Sequence, residues 1–211
     1  MVQIATPGVA ARTGRSREGV EISLNMPGRY ALASRRDPEG NRREFGCRVM
    51  TMSPISMVLV APVLGPIGER VIVHLERFGR LQGKIVRVLR HGFAMTITTT
   101  DGERGKLAGK LVWLDRHRKS AVPDTRRHDR VVPRTPITTL TLPGGITMSC
   151  LIIDISASGA AVSADCIPDI GLPVSIGPTR GRVVREFTEG FAVEFERVLS
   201  PHLLDQTYID R

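Results

Sequence analysis

The sequence predicts a mainly β protein made of two tandem small antiparallel barrels, each followed by a C-terminal helix. Three observations carry that expectation. The chain repeats itself, its turn residues are spaced for short strands, and an apolar helical stretch follows each repeat. With 211 residues, there is material for two small domains with separate cores.

The repeat is visible by eye. CRVMTMSPISMVLVAP begins at Cys47 and CLIIDISASGAAVSAD at Cys150, each reading as a strand, a Ser-containing turn and a second strand. Twenty-one residues after each cysteine stands a glycine, Gly68 and Gly171, followed by the β-type runs RVIVHL and LPVSI. GKIVRVLRHGFAMTI from Gly83 then matches GRVVREFTEGFAVEF from Gly181, with Gly-Phe-Ala at the same spacing. The offset is 103 residues for the first blocks and 98 for the last, so one hairpin loop differs by five. Alternation alone would not distinguish a duplication from two unrelated β segments. Matched glycines at held spacing do.

Each copy offers five or six short strands punctuated by Gly, Pro or Asp-Gly. Closing such strands into a barrel removes exposed edges. After the first copy, Leu107, Leu111 and Leu114 fall at i, i+4 and i+7, with Val112 and Trp113 beside them and Lys106, Lys110 and Arg118 opposite. After the second, Ser200-Pro201 reads as a cap and a first-turn proline. Leu203, Leu204, Tyr208 and Ile209 are then expected to pack on the barrel.

Thirty Lys and Arg against 21 Asp and Glu give a net charge of +9, which favours anionic partners. Between Asp115 and Arg134 lie seven Lys/Arg and three Asp, so the positive field has a focus in mid-chain. The three cysteines, Cys47, Cys150 and Cys166, form neither a disulfide framework nor a zinc spacing. Cys47 and Cys150 occupy equivalent strand positions and read as small buried hydrophobes. The N-terminus lacks a signal-type apolar run, and no stretch approaches the ~20 apolar residues of a membrane span. A soluble, cytoplasmic protein without membrane insertion is expected. No histidine pairs with Cys, Asp or Glu at ligand or triad spacing, and no phosphate-binding glycine loop is present. Neither metal, cofactor nor catalysis is expected.

The mid-chain charge includes RRHDR, Arg126 to Arg130, and DISASG follows from Asp154 to Gly159. In these two motifs the sequence resembles the PilZ family, receptors for cyclic di-GMP with a six-stranded barrel. The family's Arg-x-x-x-Arg arm is matched by Arg126 and Arg130, and its Asp/Asn-x-Ser-x-x-Gly turn by Asp154, Ser156 and Gly159. The resemblance implies a cyclic di-GMP site formed by Arg126, Arg127, Arg130, Asp154, Ser156 and Gly159. The chemistry suits that ligand. An arginine forks onto a phosphate or onto guanine O6 and N7 with two charge-assisted hydrogen bonds, and stacks on a purine face. Asp154 offers an acceptor to guanine N–H groups, Ser156 bonds the ligand or closes the turn, and Gly159 is expected to free the backbone for a turn conformation. Arg185 recurs as Arg87 in the first copy, which suits an architectural role as well as ligand contact.

The first copy departs from the motif. Thr51 stands for Asp154, Ser53 keeps the serine, Ser56 replaces Gly159, and no comparable arm precedes them. The expected organisation is therefore a disordered segment over 1–20, a degenerate PilZ-like domain over 21–118, a linker and start of the arm over 119–127, and a PilZ domain over 124–211. Signalling would run through rearrangement of the two domains toward a downstream protein partner. The alternatives are a nucleic-acid-binding barrel or an interaction module without a small ligand. Nucleic acid is the less favoured partner, because the chain has only nine aromatics for base stacking.

Overall fold

The computed structural model describes residues 21–117, 131–133 and 135–209. Two closed six-stranded barrels account for almost all of them. The first is built from β1 (Ile22–Arg36), β2 (Arg42–Met52), β3 (Ser56–Val60), β4 (Arg70–Leu75), β5 (Gly79–Leu89) and β6 (Gly92–Thr96). The second uses β7 (Ile137–Thr141), β8 (Thr147–Ser156), β9 (Gly159–Ala164), β10 (Pro173–Ile176), β11 (Thr179–Phe187) and β12 (Gly190–Phe195). Strand order is β1-β2-β3-β6-β5-β4 in one and β7-β8-β9-β12-β11-β10 in the other, every pairing antiparallel. The duplication in the sequence is thus a duplication of topology.

The recurring glycines have a packing reason. A Cβ on Gly83 would overlap the Thr96 carbonyl oxygen, and one on Gly181 would overlap that of Glu194. Gly92 and Gly190 meet the carbonyls of Leu59 and Val162 in the same way. Neighbouring backbones cross too closely there for any side chain. Gly68 and Gly171 differ from these: both sit at φ near +90° in open space, where the left-handed backbone itself selects glycine.

Inward-facing residues alternate along the strands and fill each barrel. Tyr30, Phe45 and Phe93 form an aromatic cluster in the first, with centroids 5.5–5.6 Å apart. Phe191, Val162 and Ile152 lie at the corresponding core of the second. Cys47 and Cys150 are buried as expected. Burial pushes the Cys47 thiol well up and the Cys150 thiol to about 12, so both remain protonated. Each core also anchors one tyrosine hydroxyl. Tyr30 donates to the Val63 carbonyl at 2.5 Å, and Tyr208 to that of Ile176 at 2.6 Å.

The predicted helix after the first barrel is α1 (Asp101–Arg116), started by a capping box. Thr100 Oγ1 accepts the Glu103 N–H, and Glu103 returns its carboxylate to the Thr100 N–H. Leu107, Leu111 and Leu114 are buried as the spacing predicts, but the neighbouring Trp113 is 55% exposed. After the second barrel, α2 (Pro201–Leu204) is a single turn that continues as a π turn, Asp205–Ile209. Ser200 caps it by accepting the Leu203 N–H. Leu204 and Tyr208 pack down, whereas Leu203 is 50% exposed and contributes nothing to the core. A single turn buries one face only. Among the described residues, no helix is long and apolar enough to cross a membrane.

The barrels meet along β2 of the first and β8–β9 of the second. The Gly46 N–H donates to Ser163 Oγ at 2.9 Å, in a buried contact. Arg43 reaches the Ala164 carbonyl at 3.1 Å, and Arg35 and Arg43 flank Asp165 at 3.4 and 3.9 Å. Arg48 is 3% exposed; it donates to Asn25 Oδ1 at 2.9 Å and approaches the Ile153 carbonyl at 3.5 Å. The Ile153 side chain lies where Gly46 has none, so the first barrel is cut to receive the second.

Candidate ligand-binding site

A β-bulge organises the site. On β8, Ile152 pairs with Val162 and Asp154 with Ala161, leaving Ile153 as the extra residue. Without it, alternation would place Asp154 on the same face as Ile152, toward the core. With it, Ile153 packs on the first barrel and Asp154 lines an outer-face cavity. A second bulge on β11, between Val183 and Arg185, brings Val184 and Arg185 to that cavity.

The cavity has a volume of about 400 Å³, within the usual range for small-molecule sites. Asp154, Ser156 and Gly159 all line it. Its floor includes Ala161 and Ala192, which stand opposite each other on β9 and β12. Ser156 Oγ donates to the Gly159 carbonyl at 3.2 Å and lies 3.4 Å from Ser158 Oγ. That serine therefore closes the turn while its hydroxyl borders the cavity.

Two residues join the site that the sequence did not place there firmly. Arg185 lines the cavity and also lies over the Phe187 ring. Glu194 lies opposite Gly159 in the β9–β12 register and adds a second carboxylate. The signal was present in GFAVEF, whose alternation puts Ala192 and Glu194 outward, but it needed the register to be read.

Gly159 is corrected in its reason. Its φ is not in the left-handed region, so no special turn conformation selects glycine. A Cβ there would overlap the Val193 carbonyl oxygen across the β9–β12 pair. Glycine is required for the approach of β12, which brings Glu194 to the cavity.

The arginine arm, Arg126, Arg127 and Arg130, lies outside the described residues. The residue that follows it does not. Val131 forms both hydrogen bonds of an antiparallel bridge with Ile155, its N–H to the Ile155 carbonyl at 2.9 Å and the return bond at 3.0 Å. Ile155 is the centre of the Asp154–Ser156 triplet. The backbone at the end of the arm is therefore tied to the strand that carries the turn.

The equivalent place on the first barrel is occupied by its own side chains. Thr51, Ser53 and Ser56 replace the motif, Val58 stands where Ala161 contributes to the floor, and Thr96 stands for Glu194. Ser53 turns inward and caps its own turn, accepting the Ser56 N–H at 3.0 Å and pairing with Ser56 Oγ at 2.9 Å. Among the described residues, no group of three or more His, Cys, Asp or Glu side chains is arranged to hold a metal ion.

The family described as the PilZ domain matches residues 124–209. No curated protein matches the sequence. Among solved structures, the chain is similar to the PlzA protein of Borreliella burgdorferi in complex with c-di-GMP, at 13% identity and TM-score 0.28, covering 89% of this chain and 92% of that one. It is also similar to the Bacillus subtilis inhibitor of motility MotI/DgrA, at 14% identity and TM-score 0.29, covering 90% and 95%. Escherichia coli YcgR in complex with c-di-GMP follows at 12% identity and TM-score 0.29, covering 86% and 80%.

Proposed function

We propose that this chain, whose residues 124–209 match the PilZ domain family, is a non-enzymatic receptor for cyclic di-GMP. The observation that carries the reading is the junction of arm and turn. The bridge between Val131 and Ile155 ties the end of an arginine-rich segment to the strand whose Asp154 and Ser156 line an open cavity.

In this reading Arg126 and Arg130 fork onto phosphates and guanine O6/N7, with Arg127 adding charge. Asp154 and Glu194 accept guanine N–H groups, and the alanine floor takes a purine face. Arg185 adds a cation from the far side of the cavity. Each ion-supported fork contributes on the order of 1–3 kcal/mol of base discrimination. Replacing Arg126 and Arg130 by Ala is therefore expected to weaken binding at least about 100-fold, read by titration calorimetry with cyclic di-AMP as the control ligand. Undiminished affinity in that variant would refute the assignment.

The route to output lies in strands that the cavity shares with the seam between the barrels. Asp154 follows Ile153, which packs against Gly46 and carries the carbonyl approached by Arg48. On β9, Ala161 lines the cavity and Ser163, two residues on, holds the Gly46 N–H. A ligand that straightens or tightens β8 and β9 changes both ends of these contacts. The barrels would then adopt a different relative orientation, which distance measurements between spin labels on the two barrels, with and without ligand, would detect. Unchanged distances would leave binding intact and remove this mechanism.

A further inference from the structure

The two barrels differ in charge. Residues 21–117 carry sixteen Lys and Arg against nine Asp and Glu, whereas residues 131–209 carry five against eight. Part of this excess borders an apolar groove on the first barrel, on the side formed by α1 and the β4–β5 turn. Arg77, Phe78, Lys110, Trp113 and Leu114 line a cavity of about 330 Å³. It meets a second cavity of about 520 Å³ at Phe78 and Lys110, where Arg80 and Lys106 extend the basic rim. The one carboxylate lining the groove belongs to Glu103, and it is engaged by the Thr100 backbone in the helix cap.

One feature of this surface is unfavourable for the isolated fold. Trp113 is 55% exposed, with the His117 ring stacked against one face at 4.5 Å. Covering that ring and pairing the basic rim both become favourable when a segment carrying an apolar side chain and carboxylates lies along the groove.

We infer that this groove docks an acidic segment of a partner protein, one bulky apolar side chain of which enters between Phe78 and Trp113 while flanking carboxylates pair with Arg77, Lys110 and Arg80. Exposed Trp and Arg together are the residue types that dominate protein interfaces. A single-stranded nucleic acid fits less well. Such grooves stack successive bases on several aromatics, and among the described residues Trp113 is the only exposed one. The inference goes beyond the receptor reading and does not depend on it.

Trp113 is the only tryptophan of the chain, so its emission reports directly on the groove. The probe is a synthetic peptide, Glu-Asp-Glu-Leu-Phe-Glu-Asp-Glu, titrated into the full chain without cyclic di-GMP. A saturable blue shift is expected, with affinity falling at least about fivefold when ionic strength rises from about 0.05 to about 0.3 M. Arg77→Glu with Lys110→Glu is expected to weaken binding at least about tenfold, and exchanging the peptide's Leu-Phe for Ala-Ala to abolish it. Trp113→Gln, followed through a fluorescein label on the peptide, is expected to lose binding as well. Circular dichroism verifies that the variants fold, and their cyclic di-GMP affinity, measured separately, keeps a failure here distinct from a failure of the receptor reading. Absence of a shift, or equal binding by the charge-reversed variant, would overturn the inference. So would a shift produced by a twelve-residue oligo-dT or by phosphatidylglycerol vesicles but not by the peptide.

Discussion

The two barrels are the same scaffold put to different use. Both bulges recur, at Val49/Thr51 and Ile152/Asp154 and again at Ile85/Arg87 and Val183/Arg185. The closely approached glycines recur with them. The outer faces do not match. One has an alanine floor between two carboxylates and an arginine. The other has Val58 at the floor position of Ala161 and a serine spent on its own turn. Closure of a barrel is decided inside, so the outer face is free to diverge.

Exchanging the motif residues should test this division most severely. Asp154→Thr with Gly159→Ser makes the second turn resemble the first, and is expected to lower cyclic di-GMP affinity by about 100-fold or more in calorimetric titration. The reciprocal Thr51→Asp with Ser56→Gly should create no site, because the floor stays filled and no arm precedes it. Binding by that variant would show that two turn residues suffice.

The shared scaffold predicts shared sensitivity. Gly92→Ala and Gly190→Ala each force a Cβ into a neighbouring carbonyl, and each is expected to cost about 1–3 kcal/mol in denaturant unfolding. A large effect in one barrel and none in the other would break the equivalence. Ala161→Val copies Val58 into the cavity floor and should weaken ligand binding about tenfold while leaving the unfolding midpoint unchanged.

The smallest effect concerns pH. Cys47 and Cys150 hold their protons above the ordinary thiol range because burial disfavours the thiolate, Cys150 up to about 12. Unfolded thiols release theirs near pH 8.5. Between these values the native state binds more protons than the unfolded state, so stability falls as pH rises. A loss of up to about 2 kcal/mol for each thiol between pH 8 and pH 10 is expected in urea titrations, reduced by Cys150→Val. An equal slope in that variant would place the alkaline sensitivity elsewhere.

Much of this molecule was legible before any coordinates. The glycines, the Gly-Phe-Ala repeat and the alternating strands determined two barrels, and Leu107, Leu111 and Leu114 determined the face that α1 buries, because periodicity and close backbone approach leave direct marks on residue type. Asp154, Ser156 and Gly159 were legible as a turn for the same reason. Only the tertiary structure decided that a bulge at Ile153 turns Asp154 outward, that Gly159 yields to β12 and not to its own turn, and that Glu194 and Arg185 come to the same cavity. It also decided that Trp113 faces solvent and that Arg48 is buried at the seam. Register and bulges arise from how strands pair, Asp154 with Ala161 and Gly159 with Glu194, and the seam from contacts across 117 residues; no local pattern of side chains records those choices.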